Sequence, residues 1–147
     1  SIMHSSKHCV VPSVYLVLIN GGKILLARRF NTGYMDGFYS FPAGHLNGKE
    51  TVMQAVIREG KEEVGVDVQP KDLTLIHVVS RKGNDAERVG FFFRAEAWEG
   101  TPMIMEKDKC DDLQWFALDA IPENTVDYVK QAIATFRVGK PYSEFGW

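Results

Sequence analysis

The sequence predicts an α/β protein of the α+β kind, a mixed β-sheet carrying two main helices. Three observations lead there. A β-branched apolar run ends at an Asn-Gly turn, an amphipathic acidic segment lies between a Pro/Gly loop and a glycine stop, and a second apolar stripe recurs at helical spacing near the C-terminal end. The 147 residues fit one domain over 1–147, and 45% hydrophobic with 24% charged residues is enough for one core.

Each element can be justified in order. The opening SIMHSSKHC is polar, and residues 1–9 are set aside as a flexible N-terminal segment. Val10 to Ile19 is β-branched and apolar, a strand; Asn20-Gly21 is a hairpin signal, and Lys23 to Arg28 returns as its partner. Phe38 to Phe41 is a short aromatic strand. FPAGHLNG, from Phe41 to Gly48, is a loop entering a helix from about Glu50 to Val64. Met53, Val56, Ile57, Gly60 and Val64 form the apolar arc of that helix, and Gly65 suits a C-cap of positive φ. Gly60 costs about 1 kcal/mol in helix propensity, which close packing of the helix backbone on a sheet accounts for. Leu73 to Ser80 and Arg88 to Ala97 are strands around a polar turn, and Gln114 to Leu118 is another. Val126, Val129, Ile133 and Phe136 mark one side of the second helix, which Gly139 ends.

The chemistry concentrates on the first helix. Glu59, Glu62 and Glu63 stand at i, i+3 and i+4, within about 100° of arc on one face. Like charges this close repel; a divalent cation among them relieves that, and Mg²⁺ works beside substrate phosphates. A bare acidic triplet is most often a solvated face, but its surroundings reverse that judgement.

Gly44, five residues, Glu50, seven residues, then Arg58-Glu59, Gly60, Lys61, Glu62-Glu63, Val64, Gly65, Val66 resembles the Nudix box of the Nudix hydrolases. The departure is Gly60, where the family usually has a bulkier apolar residue. The resemblance implies a Nudix fold, an α/β/α sandwich, in a MutT-related chain. It implies an enzyme, a pyrophosphohydrolase that uses Mg²⁺, with Mn²⁺ as a substitute, to cleave the diphosphate linkage of a nucleoside diphosphate derivative. The metal ligands implied are Glu59, Glu62, Glu63 and the Gly44 carbonyl. The general base stays open between Glu62, Glu63 and Glu106, with Glu96 and Glu99 as alternatives to Glu106. Arg58 orients a carboxylate, and Glu50 has a structural role near the helix start.

For substrate contacts, Arg28 and Arg29 end a strand and are candidates for phosphates. Tyr34 and Phe41 are candidates for stacking on a base, although most strand aromatics are core. His45 follows Gly44 and is a candidate to face the site, whereas His77 reads as a satisfied strand residue. The stretch EKDKCDDLQWF, Glu106 to Phe116, resembles Nudix members that hydrolyse nucleoside triphosphates, with Lys107 where a proline often stands. The expected reaction is therefore cleavage of an ordinary or oxidised nucleoside triphosphate to a monophosphate and pyrophosphate. ADP-ribose, nucleotide sugars and dinucleoside polyphosphates are the alternatives. A non-catalytic nucleotide sensor on the same fold is the rival from another class, and it commonly loses the glutamates kept here.

Charge and cysteines narrow the rest. A net charge of −2 argues against a general polyanion-binding surface, so the partner expected is a small nucleotide and not a nucleic-acid polymer. Cys9 and Cys110 lack metal-site spacing and are too few for a disulfide framework. No apolar run reaches transmembrane length and no signal-peptide pattern opens the chain. The expectation is a cytoplasmic monomer or homodimer with no membrane partner.

Overall fold

In the computed structural model of the chain, residues 7–147 are described, so most of the segment set aside as flexible lies outside them. β1 (Val11–Asn20) turns through Gly21-Gly22 into β2 (Lys23–Arg29), with Asn20 opposite Lys23. The turn is centred one residue later than Asn20-Gly21, because both glycines take the positive φ (60° and 76°) that a two-residue hairpin demands.

β3 (Tyr39–Ser40) pairs with β2, and β4 (Ala43–His45) pairs with β1 ahead of α1 (Val52–Val64). A 3₁₀ turn at Pro70–Asp72 leads into β5 (Leu73–Lys82) and β6 (Glu87–Ala95). β7 (Cys110–Ala117), α2 (Asp127–Phe136) and β8 (Tyr142–Phe145) follow. The strand order is β3-β2-β1-β6-β5-β8, with β4 also on β1 and β7 on β2. β1–β6 and β5–β8 are parallel and the other pairs antiparallel, so the sheet is mixed.

A helix lies on each side. Val14, Leu16, Leu18 and Leu25 pack with Ala55, Val56 and Val64 of α1; Tyr15, Val17, Ile24, Leu26 and Phe92 pack with Val129 and Ile133 of α2. Because both faces are covered, Ser13–Leu18 are buried without a break, and no polar alternation shows in β1. Fully burying one Val or Leu side chain is worth about 1.5–3 kcal/mol, so this strand anchors the molecule. The α/β/α sandwich is the observed architecture.

α1 has the ends its sequence encodes. Thr51 caps it: its hydroxyl accepts from Gln54 N–H (3.1 Å) and the Gln54 side chain accepts from Thr51 N–H (2.9 Å). Gly65 closes it at φ 71°, its N–H donating to the Lys61 carbonyl and the Val66 N–H to the Gly60 carbonyl. Gly60 meets the sheet as expected: a Cβ there would stand 2.8 Å from Leu16 Cδ2.

The sequence reading needs four corrections. Glu50 precedes the helix, which starts at Val52. The loop from Phe41 to Gly48 contains β4, too short to carry a periodic signal. β7 starts at Cys110, four residues before Gln114. β8 was unforeseen; it adds to the open edge of β5, where Val78 faces Tyr142. None of the helices in the described residues is long and apolar enough to cross a membrane.

Candidate active site

β4 brings the Nudix-box loop and the acidic helix together. Its pleat turns Gly44, opposite Val14, toward α1, and the next residue, His45, opposite Ser13, toward the other face. The Glu59 carboxylate lies directly on Gly44: a Cβ at that position would be 2.1 Å from Glu59 Oε2. Only glycine admits the carboxylate there.

Arg58 holds this arrangement. Its Nη2 and Nε donate to the two Glu50 oxygens at 2.8 and 3.1 Å, its Nη1 donates to Glu59 and Glu62, and its Nη2 also reaches the His45 carbonyl at 3.0 Å. The Glu50 hydrogen bonds are the main reason the guanidinium is raised above its ordinary value, and they hold Glu50 below the usual carboxylate range. Asn47 N–H adds to Glu50 at 2.7 Å. Arg58 thus contacts three carboxylates, and Glu50 pins the loop to the helix from outside it.

The three helix carboxylates differ sharply in environment. Glu62 is exposed on the outer flank beside Arg58. Glu59 and Glu63 form an inner pair. Burial above all, then the hydrogen bond with Glu59 and its charge, pushes Glu63 up to about 10, while the Ala43 N–H at 3.4 Å works in the opposite direction. The Glu106 charge also acts on Glu63. Glu106 is brought there by the chain before β7: Met103 N–H bonds to Val64 O (3.0 Å) and Met105 N–H to Glu63 O (3.1 Å), after which Glu106 O accepts from Lys109 and Cys110. These bonds use carbonyls that the last turn of α1 leaves free. By contrast, Glu99 bonds its backbone to Asp67 and Glu96 lies on the exposed end beyond β6.

Among the described residues, no three His, Cys, Asp or Glu side chains converge closely enough to share one ion. The inner pair with the Gly44 backbone nonetheless fits a hard divalent cation. Its donors are carboxylate oxygens, the proton that Glu63 retains is one an ion can displace, and Mg²⁺ is held by one or two carboxylates with substrate phosphates filling the shell.

The substrate candidates separate. Phe41 is corrected: it is 3% exposed and packs against Phe92 and Phe136, so it offers no face to a base. Arg28 is engaged with Asp111 (2.8 Å) and lies over the Tyr39 ring, and Arg29 bonds the Tyr34 carbonyl (2.6 Å) and Thr32. Both arginines therefore tie down their own surroundings. Tyr34 is 49% exposed with the Arg29 guanidinium over its ring. His45 is exposed, and its Nε2 meets Arg88 Nη1 at 3.2 Å. His77 is the satisfied strand residue it was read as, between the Lys140 carbonyl and the Ser143 hydroxyl. Two residues escaped the sequence reading. Asp112 accepts from the Tyr39 hydroxyl, which burial above all pushes up to about 12, and from Gln114. Arg88 contacts His45 from a strand far off in sequence. Strand alternation alone, applied from Trp115 backward, would have paired Asp112 with Gln114.

A mixed sheet between two helices, with a glycine strand laid against an arginine-braced carboxylate helix, defines the Nudix class of fold. The chain belongs to the NUDIX domain family, whose sequence profile matches residues 10–136. Among solved structures it is similar to the MutT NUDIX hydrolase from Burkholderia pseudomallei (29% identity, TM-score 0.79, covering 86% of this chain and 98% of that one). It shares its fold with the MutT protein from Methanosarcina mazei Go1 (22% identity, TM-score 0.77, covering 90% and 96%). Among curated proteins it is 35% identical over 111 residues to the NAD-capped RNA hydrolase NudC of Pseudomonas aeruginosa, covering 76% of this chain and 37% of that protein. The NudC of Stutzerimonas stutzeri is 29% identical over 135 residues, covering 88% and 46%. The chain thus spans less than half the length of these curated relatives. Nudix hydrolases generally use divalent metal ions.

Proposed function

We propose that this chain hydrolyses the diphosphate linkage of a nucleoside diphosphate derivative, with Mg²⁺ as the working ion and Mn²⁺ as a substitute. The observation that carries the reading is the half-buried Glu59–Glu63 pair against Gly44, braced by Arg58. Glu59, Glu63 and the Gly44 carbonyl would hold the ion, while Glu62 stays on the flank with Arg58. When bound, the ion polarises phosphoryl oxygens and lowers the pKa of water.

The remaining roles fall to the chain. Arg58 fixes Glu59 and Glu62 through its fork and keeps the β4 loop on the helix through Glu50 and the His45 carbonyl. Glu106, or Glu63 once an ion has displaced its proton, accepts the proton of the attacking water; the Glu106 charge acts on Glu63 at the inner side of the site. The substrate we favour is a nucleoside triphosphate, ordinary or oxidised, released as monophosphate and pyrophosphate, on the strength of the Glu106 to Phe116 stretch and the likeness to the MutT hydrolase. Such a substrate belongs to the cytoplasm. A second reading, a dinucleotide such as NAD, free or at an RNA end, is favoured by the identity to the NudC relatives.

The test is turnover on a panel of nucleoside triphosphates, ADP-ribose, dinucleoside polyphosphates, nucleotide sugars, NAD and NAD-capped RNA, with and without Mg²⁺. Highest kcat/KM on a triphosphate supports the first reading; highest on NAD or capped RNA replaces it with the second. Tight nucleotide binding with no hydrolysis of any panel member turns the chain into a sensor.

A further inference from the structure

The face of the sheet behind the carboxylate site carries a row of basic side chains that the reaction above does not use. His45 on β4 stands opposite Ser13, Arg88 on β6 is level with Val11, and Arg81 on β5 stands opposite Arg88. Alternation places all three on the α2 side, one residue over from Gly44. Contacts bear this out: Arg88 Nη1 lies 3.2 Å from His45 Nε2. The Arg81 guanidinium lies 4.0 Å over the Tyr128 ring, and the Tyr128 hydroxyl is held by Tyr15 at 3.0 Å.

The row is short of negative charge. Asp85 bonds Arg88 Nη2 at 2.7 Å from a largely exposed position, while Arg88 itself is only 17% exposed. Arg81 has no carboxylate within ion-pair distance among the described residues. Like charges directly opposite on neighbouring strands repel, and here they do so in a chain whose net charge is −2. An anion across the row removes that repulsion and gains charge-assisted hydrogen bonds from both forks. His45 also fixes where the anion comes from. Its carbonyl is bound by Arg58 beside the carboxylates and its ring meets Arg88, so one residue joins the two places.

We propose that His45, Arg88 and Arg81 form a subsite for a phosphate of the substrate that lies beyond the cleaved diphosphate link, as in the third phosphate of a nucleoside triphosphate. The inference rests on the hydrolase reading for which bond is cut, and a binding measurement separates the two. The probe is a methylene-bridged, non-hydrolysable nucleoside triphosphate in Mg²⁺, compared with the nucleoside monophosphate, by calorimetric titration. Arg88→Gln and Arg81→Gln should each weaken triphosphate binding about tenfold, the scale of one charge-assisted hydrogen bond, and leave the monophosphate unchanged. Arg88→Lys, which keeps the charge and guards against a folding defect, should retain most of the affinity. Wild-type triphosphate affinity in both Gln variants, or equal losses for the monophosphate, would overturn the subsite. Arginine-dependent binding without hydrolysis by the parent protein would leave the subsite standing and remove the hydrolase reading.

Discussion

At the residue scale, space and burial decide what each box position tolerates. Gly60 is buried with Leu16 Cδ2 only 2.8 Å from where a Cβ would be. Alanine gains about 1 kcal/mol of helix propensity there and loses a similar amount by pressing a fully buried leucine, so Gly60→Ala should leave denaturant stability nearly unchanged. Gly60→Leu has no room and should lose about 1–3 kcal/mol. A leucine variant as stable as the parent would mean the helix does not seat on β1 as described. The glutamates differ in the same way. Glu63→Gln removes a half-buried carboxyl group from the inner pair, and loss of a general base or ion ligand should lower kcat roughly 10²–10⁴-fold. Glu62 sits outside with Arg58, so Glu62→Gln should cost less, through a loosened Arg58 fork. Equal, small effects in single-turnover assays would place the chemistry elsewhere.

At the element scale, the ends of α1 carry the design. The Thr51–Gln54 capping box satisfies two amides at the helix start, and Thr51→Ala should destabilise the fold by about 0.5–2 kcal/mol in thermal unfolding. A variant indistinguishable from the parent would show that packing alone sets this end. The helix was readable because it announces itself: three acidic residues at i, i+3, i+4, a threonine before the apolar arc and a glycine after it. β4 and β8 were not readable. Each is a few residues long, and each exists only because a distant strand, β1 or β5, offers an unpaired edge. The same blindness produced the Phe41 correction: the sequence shows an aromatic next to the box, but only the assembled sheet says that its ring points into the α2-side core. Arg88 was invisible for the complementary reason, since its contact with His45 spans 43 positions.

At the scale of the whole molecule, the inner pair links folding to protons and cations. The folded chain keeps the Glu63 proton up to about 10, whereas an unfolded chain releases it near the ordinary 4.5. The folded state therefore binds more protons between those values, so the contribution of this group is full below 4.5 and declines as pH rises toward 10. Chelator-treated protein should lose melting temperature across that window, and Glu63→Gln should flatten the slope. Added Mg²⁺ should restore more stability at the alkaline end, because ion and proton compete for the same oxygens. A metal-free melting temperature that climbs with pH, identically in parent and variant, would show that Glu63 does not govern the trend.

The two amides that dock the chain before β7 onto the end of α1, Met103 N–H on Val64 O and Met105 N–H on Glu63 O, give the molecule a natural reporter. Both residues have exposed side chains, at 56% and 50%, so their backbone bonds and not burial shield these amides from solvent deuterium. Their exchange rates then measure one local opening, the lift of Glu106 away from Glu63, independently of global unfolding. Occupancy of the carboxylates by an ion should slow exchange at both amides together while leaving the β5–β6 hairpin amides at their former rates. Assembly of the site thus becomes visible at two backbone positions that take no part in its chemistry.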